Sequence, residues 1–172
     1  IDLLDREDAD TDVRSASIQR LATNFSVDAA HAQRVATATG YFLDFLLSNV
    51  PQAHRERLLR KARWAAQVHE IGSRISHTDY HKHGAYLLAN ADLAGFSQPE
   101  LHRLSLLVFG HRGKLRKLSD TLDDIDFVCQ LLALRLAVIV CHARRTPDTA
   151  ELLISKTAEG FEVLITKNPL ST

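Results

Sequence analysis

The sequence contains no methionine and only two cysteines, one tryptophan and four prolines in 172 residues. Cys129 and Cys141 are twelve positions apart in a segment that is predicted to be one helix. At a rise of about 1.5 Å per residue this spacing separates them by about 18 Å, which excludes a disulfide between them. We therefore expect both to be small buried side chains, as is common in proteins of the reducing cytoplasm.

Long hydrophobic runs are also missing. No segment approaches the roughly 18 apolar residues that a membrane-spanning helix needs, and the longest run, 131–141, is interrupted by Arg135. The first twelve residues are polar and acidic, which does not fit a secretory signal peptide. We therefore expect a cytoplasmic protein without a membrane partner. The missing initial methionine indicates a processed chain or a part of a longer one.

A net charge is absent as well, because 21 lysines and arginines balance 21 aspartates and glutamates. This balance excludes a uniformly basic protein and argues against nucleic acid as a partner. The charges are unevenly distributed, however. Residues 1–12 carry six acids and one base, whereas residues 54–117 carry twelve bases, five acids and seven of the nine histidines. A basic, histidine-rich centre predicts a local anion site, although ordinary solvated helix faces would also produce such a stretch.

Apolar residues at helical spacing predict one mainly α-helical domain. Asp28 is a candidate N-cap, Pro51 ends a helix, and Ser97 with Glu100 is a predicted capping box. The expected helices cover about residues 12–25, 28–50, 52–71, 80–90, 97–112 and 122–145.

The last part of the sequence has a different pattern. Two short β-rich runs, 151–156 and 160–165, flank a turn at 157–160 and predict a β hairpin. A lone hairpin is marginally stable in water, so it must pack on the helices or join further chain. We therefore expect a helical domain over residues 1–146 and a hairpin tail over residues 147–172 that begins a further C-terminal subdomain.

Four histidines fall on the apolar faces of four different predicted helices: His31, His69, His83 and His111. A buried imidazole needs a hydrogen-bonding partner or a ligand, since an unpaired buried polar group costs about 1–3 kcal/mol. The four rings could converge between the helices, where helical bundles build their sites. Neutral imidazoles together with Glu70 would then be able to bind a metal.

Two further interpretations of these histidines are open. Imidazolium groups with Lys82, Arg112 and Lys114 would bind phosphate, and a polar network without any ligand is also compatible with the spacing. The segments YHKHG at 80–84 and HRGK at 111–114 favour an anion, because each places His and Lys near a glycine whose backbone N–H can approach a phosphate. No Walker loop, dinucleotide glycine pattern, Cys-x-x-Cys pair or Gly-x-Ser-x-Gly elbow is present.

Several segments resemble one known family: RWAAQVHEIG at 63–72, ISH at 75–77, YHKHGAYLL at 80–88, NADLAGF at 90–96 and HRGKL at 111–115, with DVRS at 12–15 and AQRV at 32–35. They resemble the C-terminal region of the Ppx/GppA family, the exopolyphosphatases and guanosine pentaphosphate phosphohydrolases, over nearly the whole chain. The resemblance implies a helical domain similar to the HD phosphohydrolase fold, which helps to form a basic passage for polyphosphate and contributes to a homodimer. It also implies that phosphoanhydride hydrolysis belongs to two N-terminal actin-like domains, which bind Mg²⁺ and are absent from this sequence.

The HD pattern consists of a His, a His-Asp pair and a late Asp that together bind a metal. In the resemblance, His31 matches the first position and His69-Glu70 stands at the pair, but Val138 occupies the place of the late Asp. A valine cannot bind a metal, and helical spacing puts Arg135 on the same face, so we expect a cation there instead. The departure argues against a metal centre, and no cofactor is expected in this part of the enzyme.

The sequence therefore predicts a helical domain that binds polyphosphate or guanosine pentaphosphate and is inactive on its own. The candidate phosphate-binding residues are His69, His81, Lys82, His83, His111, Arg112 and Lys114, with Arg63 and Arg135 as further candidates. One alternative is a metal-dependent HD-type phosphohydrolase, with the ligands His31, His69, Glu70 and His111. The other is a purely structural dimerisation module.

Overall fold

The computed structural model describes residues 3–149 and 152–165, and within them six α-helices are followed by a β hairpin. The helices are α1 (Leu3–Asn24), α2 (Ala29–Leu46), α3 (Gln52–Val68), α4 (Tyr80–Ala89), α5 (Gln98–Gly110) and α6 (Ile125–Val140), and two 3₁₀ turns cover Ile71–Arg74 and Leu115–Thr121. Strands β1 (Leu152–Lys156) and β2 (Phe161–Ile165) pair antiparallel, with Leu152 opposite Ile165. The predicted mainly α fold and its C-terminal hairpin are confirmed.

Local sequence signals start two of the helices that carry the site. A carboxylate oxygen of Asp28 accepts from the backbone N–H of His31 at 3.0 Å and caps α2. Ser97 and Glu100 form a complete capping box at the start of α5. Both predicted caps are confirmed, and each such cap stabilises its helix by about 1 kcal/mol.

Several helix ends differ from the prediction. Helix α1 begins at Leu3 and α2 already ends at Leu46. Helix α6 is shorter than the predicted 122–145 at both ends. Asp124 caps its start by accepting from the N–H of Asp126 at 3.0 Å. After α6 the chain turns, and Arg144 has a φ of 55°, a left-handed conformation that cannot continue a helix.

The core lies around α2, which packs against α3, α6 and β1. Helix α3 also packs against α1 and α5, and α4 packs against α5. Phe42, Leu43 and Phe127 are fully buried in this core. Trp64 is buried as predicted, and its ring meets that of Phe96 edge-on at 5.2 Å. One core therefore fixes the helix ends relative to one another.

The hairpin joins the same core through Leu152 and Ile154, which are both buried. Cys129 and Cys141 are free and buried, as predicted, and burial raises the pKa of the Cys141 thiol to about 11. Within residues 3–149 and 152–165, each helix is too short or too polar to span a bilayer.

Candidate functional site

A cleft of about 490 Å³ opens where the ends of several helices meet. Side chains reach it from the start of α2, the end of α3 and the 3₁₀ turn that follows, the start of α4, and the ends of α5 and α6. Its lining residues are His31, His69, Glu70, Ser73, His77, Tyr80, Arg112, Val138, His142 and Arg144. Histidine and arginine dominate the lining, so this is a polar site held on a hydrophobic scaffold.

His69 lies in the lining of the cleft, directly after α3, and is 1% exposed. Its Nδ1–H donates to the carbonyl of Ala66, which leaves a lone pair on Nε2. That Nε2 atom has no hydrogen-bond partner among the residues that the structure describes. Burial lowers the pKa of His69, against the opposing effects of the Ala66 carbonyl and Glu70. The imidazole is therefore neutral at pH 7.

His31 lies in the first turn of α2 and faces His69, with the ring centres 5.9 Å apart. Its Nε2 is 3.7 Å from Oε1 of Glu70. Burial lowers the pKa of His31 even though this carboxylate opposes the effect, and Arg144 lowers it further. Glu70 therefore has a neutral imidazole on one side and takes its counter-ion from elsewhere.

That counter-ion is Arg144. Its Nη2 donates to the two carboxylate oxygens of Glu70 at 3.1 and 3.4 Å, and its Nη1 donates to Oδ2 of Asp28 at 3.1 Å. The sequence predicted a cation on this side of the site and pointed to Arg135. The structure brings Arg144 to the cleft instead, because the chain leaves α6 after Val140 and turns back.

The metal-binding pattern that the HD resemblance implies is only partly present. The ligand atoms of His31, His69 and Glu70 all lie within 4.8 Å of one another, whereas the ligands of one tetrahedral ion at about 2.1 Å lie about 3.4 Å apart. Val138 lines the cleft but offers no ligand atom. Because the guanidinium of Arg144 already occupies the Glu70 carboxylate, these residues do not fit a resident metal in this arrangement.

Both ring nitrogens of His111 are engaged, so it does not complete such a ligand set. Its Nδ1–H donates to the carbonyl of Val108, and its Nε2 accepts from the hydroxyl of Tyr80 at 3.2 Å. The ring meets that of His69 edge-on at 5.2 Å, and burial lowers its pKa well below the usual value. The structure thus brings together three of the four histidines predicted to face inward, His31, His69 and His111.

Beside the cleft, three basic side chains lie close enough to a fourth, Lys117, to act on it electrostatically. We call these four the cationic cluster: Lys82, Arg112, Lys117 and Arg135. Burial, followed by the charges of Lys117 and Arg112, lowers the pKa of the buried His81 to about 4. Burial also lowers the pKa of Lys117, and the other three members of the cluster lower it further. One carboxylate, Asp79, opposes them and contacts Lys82 at 3.0 Å.

Specific contacts hold three members of this cluster. Nζ of Lys117 donates to the carbonyl of Arg112 at 2.9 Å. The guanidinium of Arg112 lies 4.9 Å from the centre of the Tyr80 ring. Nη1 of Arg135 donates to the carbonyl of Gly110 at 2.7 Å. Arg135 therefore binds a backbone carbonyl at the end of α5 and also contributes a positive charge to the cluster.

Three other predicted site residues are neither in the lining of the cleft nor among the four members of the cluster. Arg63 lines a different cavity beside Trp64, and the half-buried His83 is two positions from His81, on another side of α4. Lys114 is exposed just before the second 3₁₀ turn. Six residues of the cleft or the cluster were not among the site residues predicted from the sequence: Ser73, His77, Tyr80, Lys117, His142 and Arg144. The density of bases between 112 and 117 was a signal for Lys117.

Comparison with known proteins places this geometry in a family. The family described as "Ppx/GppA phosphatase, domain III" matches residues 13–170. The chain is 33% identical over 155 residues to a protein of Pseudoalteromonas translucida, an alignment that covers 84% of this chain and 30% of that protein. It is also 33% identical over 173 residues to a protein of Vibrio cholerae serotype O1. That alignment covers 93% of this chain and 33% of the Vibrio protein. Both relatives are named guanosine-5'-triphosphate,3'-diphosphate pyrophosphatase.

The chain therefore spans about a third of the length of these curated relatives. The family match runs from the middle of α1 to beyond β2 and so includes every residue of the cleft and of the cationic cluster. The resemblance expected from the segments around His69, His81 and His111 is confirmed. This chain belongs to the Ppx/GppA phosphatase family and corresponds to its domain III.

Proposed function

We propose that this chain is the polyanion-binding helical domain of a Ppx/GppA phosphatase. It would contact the phosphates of a guanosine polyphosphate, or of polyphosphate, through the cationic cluster and the arginine-lined side of the cleft. Hydrolysis of the phosphoanhydride bond would take place in N-terminal actin-like domains, which are also where Mg²⁺ is expected to bind. The chain itself would hold the substrate without cleaving it.

The observation that carries this proposal is the incomplete neutralisation of the cationic cluster. Its four cations face one carboxylate, Asp79, among the charged groups that act on Lys117. Burial and the neighbouring cations together lower the pKa of Lys117, so the folded chain holds these charges together against their repulsion. A polyphosphate group would relieve that repulsion and would accept charge-assisted hydrogen bonds from Lys82 and Arg112.

The choice between the two candidate substrates rests on the relatives. Both named relatives act, by name, on a guanosine carrying a 5'-triphosphate and a 3'-diphosphate. We therefore favour this nucleotide over polyphosphate as the ligand of the complete protein. Polyphosphate stays the alternative, because the cationic cluster presents charges and no group that would distinguish a guanine base.

Dimerisation is a second part of the proposal, and it rests on the family resemblance. Sedimentation velocity of the 172-residue chain at increasing concentration tests it. A second, faster-sedimenting species that grows with concentration is expected. A chain that stays monomeric at high concentration would place the dimer contacts elsewhere in the full-length protein.

Isothermal titration of the chain with each candidate polyanion tests the binding function. Binding is expected at about 20 mM salt and should weaken strongly at about 200 mM, since solvent-exposed charges are screened at the higher concentration. The double variant Arg112→Ala/Lys117→Ala should bind about 30-fold more weakly, which corresponds to about 1 kcal/mol for each lost contact.

The matched control is Arg57→Ala/Lys156→Ala, which removes the same net charge from two exposed positions outside the cleft and the cluster. This variant should keep the wild-type affinity to within about twofold, because general surface charge contributes little to a specific contact. Equal weakening in both double variants would mean that any basic surface suffices. No saturable binding by the wild-type chain at low salt would leave a purely structural module as its function.

A further inference from the structure

Arg144 has an unusual position for an arginine near the surface. It stands in the turn after α6 with a left-handed φ of 55°, and its guanidinium contacts carboxylates from two other parts of the chain. Asp28 caps the start of α2, and Glu70 follows the end of α3. One cation therefore ties together three helix ends at the edge of the cleft.

The side chains behind this guanidinium have the chemistry of a metal site. His69 donates its Nδ1–H to a backbone carbonyl and keeps a lone pair on a buried Nε2 without a partner among the described residues. A metal-binding histidine is typically fixed in this way, with its second nitrogen bound to a carbonyl or carboxylate. His31 and Glu70 supply a second imidazole and a carboxylate, and two histidines with one glutamate is an established ligand set for Zn²⁺.

We propose that Arg144 takes the place of a metal ion in this pocket, and that His31, His69 and Glu70 form a latent site for a divalent transition metal such as Zn²⁺ or Co²⁺. The guanidinium keeps this site closed in two ways. It occupies both oxygens of the Glu70 carboxylate, and its positive charge repels a dication. Removing it frees the Glu70 carboxylate beside the imidazoles of His31 and His69.

The adjustment that metal binding would then need is small. The three ligand atoms already lie within 4.8 Å of one another, and drawing them to the spacing of about 3.4 Å around a tetrahedral ion takes movements of about 1 Å. Val138 leaves the position of a fourth protein ligand empty, so water would complete the coordination. Nitrogen-rich ligand sets of this kind favour Zn²⁺ and Co²⁺ over Mg²⁺.

The test is a titration of metal-free wild type and of Arg144→Ala with Co²⁺, followed by the visible absorption of tetrahedral cobalt. The variant should bind one Co²⁺ per chain at least about 30-fold more tightly than wild type, the factor expected from removing a single positive charge about 4 Å from a dication at the dielectric constant of water. Adding His69→Ala to this variant should abolish the cobalt bands. Arg144→Lys keeps the charge and should bind Co²⁺ as weakly as wild type.

Folding of the variants is followed by far-ultraviolet circular dichroism with EDTA and with Co²⁺ or Zn²⁺. Arg144→Ala should melt at a lower temperature than wild type in EDTA and should regain stability when metal is added. If this variant does not fold, Arg144→Gln is titrated in its place. The proposal is overturned if wild type binds Co²⁺ as tightly as the variants, or if neither variant gains a His69-dependent site. Because the readout is metal binding, failure here leaves the proposed polyanion function untouched.

Discussion

His81→Gln is expected to make the stability of the fold less sensitive to acid. The His81 ring is 5% exposed, stacks on Phe109 at 6.1 Å, and lies near the positive charges of Lys117 and Arg112. Burial and these charges lower its pKa to about 4, from a usual value of 6.5. Glutamine keeps a polar side chain of similar reach but cannot take up a proton, so the variant lacks this one titration.

The sign of the effect follows from which state binds the proton first. Above pH 6.5 the ring is neutral in both states, and the full stability is present. As the pH falls from 6.5 towards about 4, the unfolded chain becomes protonated at His81 while the folded chain does not, so the free energy of unfolding falls. Below about pH 4 both states carry the proton, and this residue causes no further loss.

The size of the effect follows from the same two values. Each pH unit between them costs about 1.4 kcal/mol, so the full interval corresponds to about 3 kcal/mol. The cations near His81 are themselves partly exposed to solvent, and screening reduces this figure to about 2 kcal/mol. The pKa values of His31, His69 and His111 are lowered in the same direction, so the wild-type chain should lose stability steeply below pH 6.5.

Urea unfolding at a series of pH values between about 7.5 and 4.5, followed by circular dichroism, measures this difference. Across that range wild type should lose about 1.5 kcal/mol more of its free energy of unfolding than His81→Gln, the share of the roughly 2 kcal/mol that falls above pH 4.5. The control His102→Gln changes an exposed histidine of α5 and should give a curve parallel to that of wild type. Parallel curves for His81→Gln as well would mean that His81 is protonated in the folded chain, which would refute the reasoning about its burial and its neighbours.

Features that depend on neighbouring residues could be predicted from the sequence. The caps at Asp28 and Ser97 and the hairpin over 152–165 each follow from signals within a few positions. The inward faces of α2, α3 and α5 followed from apolar spacing, which is why His31, His69 and His111 were expected in the interior. Their meeting point could not be derived in the same way, because it depends on how the helices cross.

The end of α6 depends on contacts that are distant in sequence. Residues 141–145 are compatible with a helix, yet Arg144 leaves it to contact Asp28 and Glu70, which are 116 and 74 positions away. No local pattern contains that information. The same contacts explain why the cation predicted on the Val138 side of the site is Arg144 and not Arg135, whose guanidinium pairs with the end of α5.

The predicted phosphate-binding residues do not all lie at one site, and helix geometry explains why. Arg63 lies on α3 and His69 directly after it, six positions later, so at about 100° per residue their side chains leave the chain on different sides. Lys117, in contrast, is brought back towards Arg112 by the 3₁₀ turn at Leu115–Thr121. A strong apolar period is missing in that segment, and the turn was therefore not predicted from it.

Two substitutions test how the helices that carry the cleft are held. Ser97→Ala removes the capping box with Glu100 and should lower the free energy of unfolding by about 1 kcal/mol in urea titrations. The control Ser48→Ala changes an exposed serine and should alter the free energy of unfolding little. Equal losses in the two variants would mean that the capping box does not stabilise the fold. Gly72→Ala should be more severe, because a methyl group there would overlap the carbonyl oxygen of Tyr80. Backbone of α4 cannot move aside as a flexible side chain can, so we expect a loss of about 3 kcal/mol or more. Wild-type stability of this variant would contradict the close packing of the 3₁₀ turn against α4, the helix that carries His81 and Lys82.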